Sequence, residues 1–292
     1  MAVFSYTSPI AHVTDVDFRT WGQELNTNLA AAGLVQAADT GQIDWVTVTK
    51  PANNTDAGSE IWRFNDSLQG AAPIYFKLFF GTGNSANSPR IRLRVGQGSD
   101  GVGGLTGRLG ALTTVSPLIP GLDTVTSRTS FIVVGEGYLV LSWKESAFPP
   151  DAHMGFFVIS RSTTNLGVLT TEAAHIIYGG KASADLDMQT LTFDIDLPIF
   201  SITKLNSLVP GNLTESLTLP DFQFFPIWLV LYENRQLFSA CSVFVSELPF
   251  GTIFSTTIVG ASPRTYRSVG NGTGRPSVAN NTTLFTLAVI WE

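Results

Sequence analysis

Between Asp15 and Ala32 the apolar side chains Phe18, Trp21, Leu25, Leu29 and Ala32 recur at steps of three and four. That spacing puts them on one stripe of an α-helix rather than on one face of a strand. Thr14 or Asp15 can cap the start of this helix, and Gly33 can end it in the left-handed conformation that a residue without Cβ adopts at little cost. The period then changes. Ile43 and Trp45 alternate with Asp44 and Val46 ahead of Thr47-Val48-Thr49, which predicts a strand over about 43–49. No other convincing amphipathic helix occurs, and the remaining periodic segments are strand-like.

Those segments predict strands at Glu60–Phe64, Pro73–Phe80 and Ile91–Val95, with Pro51–Gly58 and Gly81–Pro89 as surface turns. In Ile91–Val95 the apolar Ile91, Leu93 and Val95 face one way and Arg92 and Arg94 the other, the alternation of a half-exposed antiparallel strand. The arginines suit either a solvated strand face or a carboxylate on an adjoining chain. Residues 96–110 are glycine-rich and read as loop, with structure resuming at Thr113–Thr114. Further strands are predicted at Phe131–Val134, Tyr138–Trp143 and Gly155–Ser160, the first two joined by a tight Gly135-Glu136-Gly137 hairpin. Beyond residue 165, short strands are predicted around Ala174–Tyr178, Thr190–Ile195, Phe222–Tyr232, Ala240–Ser246, Thr252–Val259 and Thr283–Trp291, with prolines between them. No fixed-period repeat is present, which disfavours a solenoid.

This pattern predicts a mainly β chain, antiparallel β-sandwich-like domains with one N-terminal amphipathic helix. Its length of 292 residues leaves room for two domains. We place them at 1–165, the helix plus a β domain for docking or oligomerisation, and at 166–292, a C-terminal β domain facing outward or a partner. Residues 1–14 are long enough to reach across a neighbour as an arm or to tie down onto their own domain.

Composition narrows the function. Charged residues are 14% of the chain against 44% hydrophobic, too few to solvate a very large surface, so part of it is expected to be covered by other subunits. The net charge is −6 and the carboxylates are scattered, leaving no basic stripe along the sequence for a phosphate backbone; direct nucleic-acid binding is not expected. Cys241 is the single cysteine, which excludes an internal disulfide and a thiolate metal cluster. The first residues lack a basic n-region and a long apolar run, so neither a secretory signal nor a membrane span is expected. Without a secretory route, the six Asn-x-Ser/Thr sequons, beginning at Asn53, Asn65, Asn212, Asn271, Asn280 and Asn281, read as a consequence of composition.

Candidate chemistry is sparse. Gly96-Gln-Gly-Ser-Asp-Gly101 has the spacing of a dinucleotide fingerprint after a strand, but the glycines that follow cannot open the helix on which a pyrophosphate would rest. It reads as a flexible or subunit-contacting loop. Asp185 with Asp187, and Asp194 with Asp196, place like charges on one strand face but lack the glycine turn of a calcium loop. Asp151 and His153 supply a base and an orienter without a nucleophile elbow, and His12, His153 and His175 have no metal-ligand spacing. Glu136, Glu145, Glu172 and Glu215 are carboxylates without a readable separation. No catalytic, cofactor-binding or metal-binding residue is assigned, and no cofactor is expected.

The stretch from Asp17 to about Gly107 resembles a family of tailed-bacteriophage virion structural proteins. The resembling pieces are Asp17–Gly22, Gly33–Trp45, Glu60–Phe64, Ala72–Lys77 with Phe80–Gly83, and Val95–Gly107; weaker likenesses are Gly155–Arg161 and Leu287–Glu292. The resemblance implies a structural virion protein with no catalytic motif to carry over; together with the low charge, the β-rich pattern and the missing catalytic motifs it leads to the expectation of a non-enzymatic component of the tail, baseplate or fibre region, assembled in the host cytoplasm and incorporated into the virion. With it goes the expectation of a homo-oligomer in contact with other virion proteins, a trimer being the natural guess for a fibre-like phage protein although the sequence does not give the symmetry. The alternatives are a head decoration or cement protein, and a host receptor or glycan-binding module in the C-terminal half. Within this reading Phe18, Trp21, Leu25 and Leu29 form an assembly or packing face, set either on the chain's own sheet or on a neighbouring subunit.

Overall fold

The structure, a computed structural model, describes residues 2–9, 12–83, 87–110, 112–115, 127–145, 154–163, 169–181, 186–194, 202–204, 224–230, 236–244, 253–256, 264–274 and 283–290. The elements begin with β1 (Ala2–Pro9), α1 (Asp15–Ala31), β2 (Val35–Gln36), β3 (Asp56–Arg63), β4 (Tyr75–Thr82), β5 (Pro89–Gly96), β6 (Gly98–Ser99), β7 (Leu105–Thr106) and β8 (Thr113–Thr114). There follow β9 (Ser127–Gly135), β10 (Tyr138–Glu145), β11 (Met154–Thr163), β12 (Leu169–Lys181), β13 (Leu186–Asp194) and β14 (Ile202–Lys204). The last are β15 (Phe224–Val230), β16 (Gln236–Phe244), β17 (Ile253–Thr256), β18 (Arg264–Gly274) and β19 (Thr283–Ile290). Three antiparallel sheets and one helix make the described residues mainly β, as the sequence pattern predicts.

Helix α1 forms where the apolar stripe predicts it. Thr14 caps it: the Asp17 backbone N–H donates to Thr14 Oγ1 at 3.2 Å and the Thr14 N–H to Asp17 Oδ2 at 2.7 Å, a reciprocal box that satisfies two otherwise orphaned donors. At the other end Gly33 takes a φ of +97°, and Leu34 N–H reaches back to Leu29 O at 3.2 Å. The strand expected over 43–49 does not form. Asp44 turns the chain instead, accepting from Val46 N–H at 2.9 Å and from the Thr47 hydroxyl at 2.6 Å, and its carbonyl takes Val48 N–H. Such a local side-chain bond offers the backbone an alternative to a ladder.

The five-stranded sheet runs β2-β3-β4-β5-β8, with both edge strands only two residues long, which leaves little edge for another chain to template on. On its inner face Trp62, Phe76, Leu78, Phe80, Ile91, Leu93 and Val95 are buried, and Arg92 and Arg94 point the other way, as the alternation requires. The larger sheet contains twelve of the described strands. β9 and β10 pair across the Gly135–Gly137 turn, where Gly137 has a φ of +75°. The N-terminal segment ties down on its own chain, β1 pairing with β9 from Ala2↔Val134 to Pro9↔Ser127. The 165/166 position falls between β11 and β12, which pair with one another in this sheet.

One apolar core joins these parts. The stripe of α1, the inner face of the five-stranded sheet, and Ile132, Leu139, Leu141, Trp143, Phe157, Ile159, Ala174 and Ile176 of the large sheet belong to the same buried cluster. A buried ion pair fastens it from outside the apolar region. Arg161 on β11 grips Asp66 through Nε at 2.6 Å and Nη2 at 2.8 Å, and its Nη1 donates to Ala72 O at 2.6 Å. The connection between β3 and β4 is thereby pinned to the large sheet.

Candidate interaction surface

Beneath the surface lies a buried polar node. Glu60 occupies an inward register position on β3 beside Trp62, and among the described residues no cation is paired with it. Its Oε1 accepts from Trp45 Nε1 at 2.6 Å and Asn26 Nδ2 at 2.7 Å, and its Oε2 from Trp62 Nε1 at 3.0 Å. Burial pushes its pKa up from the ordinary value, and the bonds from Trp45, Trp62 and Asn26 pull it back in part. A turn, a helix and a strand are thus joined at one carboxylate. Gln42 completes the edge of β3 by accepting Ile61 N–H at 2.8 Å through its side chain, beside Ala37 N–H to Ile61 O and Ile43 N–H to Ser59 O.

Two loops meet on the opposite side of the same sheet. Thr40 N–H donates to Gly101 O at 3.0 Å and Gly103 N–H to Asp39 Oδ2 at 3.0 Å, so residues 39–41 and 100–104 form one platform. Asp100 shapes its half, accepting Val102 N–H at 2.9 Å and Gly104 N–H at 2.7 Å, which holds its carboxyl below the ordinary range. Gly101 and Gly103 take φ values of +80° and +95°, available cheaply to glycine alone. Val102 stands at the tip, 71% exposed. The glycine-rich segment is therefore a compact hairpin, with β6 paired to β7 and no helix among residues 101–110. A pyrophosphate cradle needs a helix start at this point.

The platform covers one end of the outer face of the five-stranded sheet. Across that face run Ser59, Ile61 and Arg63 of β3, then Phe79, Lys77 and Tyr75 of β4, and Arg90, Arg92 and Arg94 of β5. Lys77 donates to Gly103 O under the loop. Burial there draws Lys77 below the ordinary lysine value, which Asp100 and Asp39 oppose and Arg94 reinforces. Phe79 lies between cations, with Lys77 Nζ 4.8 Å and the Arg92 guanidinium carbon 5.4 Å from its ring centre. Asp56 reaches over Gly81 to pair with Arg90 at 2.7 Å and with Arg92. A Cβ on Gly81 would come within 2.2 Å of Thr55 O and 2.9 Å of Asp56 Oδ1, so this ion cluster needs a glycine there.

The residues singled out in the sequence fall as follows. Phe18, Trp21, Leu25 and Leu29 are buried within the chain, against Trp45 and Phe80 among others. His12 is buried beside Phe18 and Trp21, far along the chain from His175 on β12. Glu136 sits on the β9–β10 turn, where bonds from Ser67 hold its carboxyl low. Asp187 and Asp194 lie on β13 and Cys241 on β16; Asp151, His153, Asp185, Asp196 and Glu215 lie outside the described residues. Among the described residues no three His, Cys, Asp or Glu side chains gather as a metal site, and no helix is long and apolar enough to cross a membrane. No protein-family model matches the chain, and neither does any curated protein or solved structure.

Proposed function

We propose that this chain is a non-enzymatic structural component of a tailed-phage virion, acting in particle assembly in the tail, baseplate or fibre region. One observation carries the reading. The stretches that resemble virion proteins, scattered between Asp17 and Gly107, meet at the Gly22–Trp45–Glu60–Trp62 node on the inner face of the five-stranded sheet and at the two-loop platform on its outer face. Glu60 is bonded by Asn26, Trp45 and Trp62, and Asp39 and Asp100 by backbone N–H groups, an arrangement that suits a rigid mounting surface.

Labelling purified particles with an antibody to this chain tests the proposal, with copy number from quantitative gel analysis. Decoration of the tail end at a fixed copy number is the expected result, and decoration of the capsid would assign a cement role instead. Absence from particles, with a monodisperse monomer that binds no virion protein, overturns the proposal. Incubation with host polysaccharide should yield no shortened chains; shortened chains would make it a depolymerase.

A further inference from the structure

The dipeptide Asp-Gly occurs once in the chain, at Asp100–Gly101, in the loop that meets residues 39–41. Aspartate before glycine is prone to rearrange, because a residue without Cβ lets its own amide nitrogen approach the preceding carboxyl carbon. Both residues are exposed, so water reaches the bond between them. A Cβ placed on Gly101 would meet nothing within 4 Å, so space for a small ring is open on that side.

What opposes such a ring is the bonding around it. Closure requires the Asp100–Gly101 peptide to turn about the Asp100 Cα–C bond until the Gly101 nitrogen faces Cγ. Asp100 N–H donates to Gly104 O at 3.0 Å and Gly101 O accepts from Thr40 N–H at 3.0 Å, so both sides of that bond are held. The carboxylate is held too: Oδ1 accepts Val102 N–H at 2.9 Å and Gly104 N–H at 2.7 Å, and Oδ2 lies where a Cβ on Gly104 would run into it. Those donors keep the group ionised below the ordinary carboxylate range, whereas loss of water from a carboxyl proceeds from its protonated form. The Thr40 bond depends on the second loop, as does the Asp39 carboxylate that takes Gly103 N–H at 3.0 Å. Loosening these contacts frees the peptide to turn.

We propose that Asp100–Gly101 is a latent isoaspartyl site, kept in the ordinary aspartyl form by the closed two-loop platform and converted when the platform opens. The Gly101 amide nitrogen attacks Asp100 Cγ. The N–Cγ bond forms, the Cγ–OH bond breaks, and the hydroxyl leaves with the amide proton as water, giving a succinimide. Water then adds at one of the two ring carbonyls. Addition at Cγ restores aspartate, and addition at the former main-chain carbonyl leaves the chain running through Cγ with the carboxylate on Cα. Nothing is oxidised or reduced, and the mass returns to its starting value. The main chain is then one methylene longer and the carboxylate one bond nearer to it, so Val102 and Gly104 lose the acceptor that shapes the loop. In the isoaspartyl form the platform no longer closes on residues 39–41.

Peptide mapping by mass spectrometry of the full-length chain tests this, after incubation near neutral pH at physiological temperature. Isoaspartate at position 100 is told from aspartate by its diagnostic backbone fragments and by resistance to a protease that cleaves before Asp. Wild type, Asp39→Ala, Lys77→Met and wild type held unfolded in guanidinium chloride are compared. Isoaspartate is expected to accumulate fastest in the unfolded chain. In Asp39→Ala it is expected to accumulate about fivefold faster than in folded wild type, the rise in open population that loss of one hydrogen bond gives. Circular dichroism checks folding, and Lys77→Met, which removes the Lys77 bond to Gly103 O, serves if Asp39→Ala does not fold. Equal rates in folded and unfolded wild type overturn the proposal, as do equal rates in wild type and the folded variant. Absence of isoaspartate from the unfolded chain overturns it as well, and each of these results leaves the assembly reading standing.

Discussion

The indole of Trp45 lies flat against the backbone of Gly22 in α1, so close that a Cβ on Gly22 would come within 2.0–2.3 Å of three ring atoms. Glycine inside an exposed helix ordinarily costs up to about 1 kcal/mol relative to alanine, so replacing it would normally stabilise. Here the sign reverses. The ring cannot swing away, because its Nε1 is bonded to buried Glu60 and its face meets Phe18 and Phe80. Gly22→Ala is expected to destabilise by ~1–3 kcal/mol, the range for forcing extra volume into a packed core. A urea titration reads this as a lower midpoint at unchanged slope.

Glu60 gives the fold an identifiable pH dependence. Its pKa is raised in the folded chain, so the folded state holds the proton more tightly than the unfolded one. This group alone therefore lowers stability as pH rises from its ordinary value of 4.5 to the higher folded value, and the loss then stays constant. Asp100 and Glu136 act in the opposite sense, their lowered values giving stability that is lost as pH falls. The comparison that isolates Glu60 is wild type against Glu60→Gln. The stability difference between them should change across the window above pH 4.5 and flatten beyond it. A constant difference from pH 4 to 8 would mean that Glu60 does not titrate differently in the fold.

Glu60 also shows what was legible in the sequence. Alternation along Glu60-Ile61-Trp62-Arg63-Phe64 places Glu60 on the same face as Trp62 and Phe64, so a carboxylate at an inward position could have been found from the pattern. Its partners could not, because Asn26 and Trp45 arrive from a helix and a turn at sequence separations of 34 and 15. The helix was readable because stripe, cap and terminal glycine agree locally, and β5 because arginines alternate with apolar residues. The expected strand at 43–49 failed because Asp44 bonds its own turn, a competition invisible to periodicity. The cationic sheet face was half-visible: Arg92 and Arg94 were placed outward, but the carboxylate met by Arg92 is Asp56 of the same chain.

Arg161 and Asp66 are both buried at the side-chain level and bonded two ways. Removing one member leaves the other charged and unpaired in a dry site, which costs more than the pair is worth. Arg161→Met is expected to lose ~3–5 kcal/mol, because Ala72 O and Gln69 Oε1 also lose a donor. The double variant Arg161→Met with Asp66→Leu should recover part of the loss, since no isolated charge remains. Denaturant titration of wild type, Arg161→Met, Asp66→Leu and the double variant closes the cycle, and additive losses would show that the pair is not coupled.

The two-loop platform should respond locally. Asp39 accepts Gly103 N–H, and Thr40 N–H reaches Gly101 O, so the hairpin is anchored to residues 39–41 by only a few bonds and to Lys77 by one more. None of these bonds belongs to the apolar cluster that joins the sheets. Opening of such a segment is separable from global unfolding. Asp39→Ala is therefore expected to raise amide hydrogen exchange at Gly101–Gly104 at least severalfold while the global unfolding free energy changes by less than ~1 kcal/mol, about the net worth of one hydrogen bond. Exchange at β4 and β5 should stay at its wild-type rate. If protection fell equally there, the platform would be part of the fold's cooperative unit, and a docking role for it would have to be tested on variants confined to Val102.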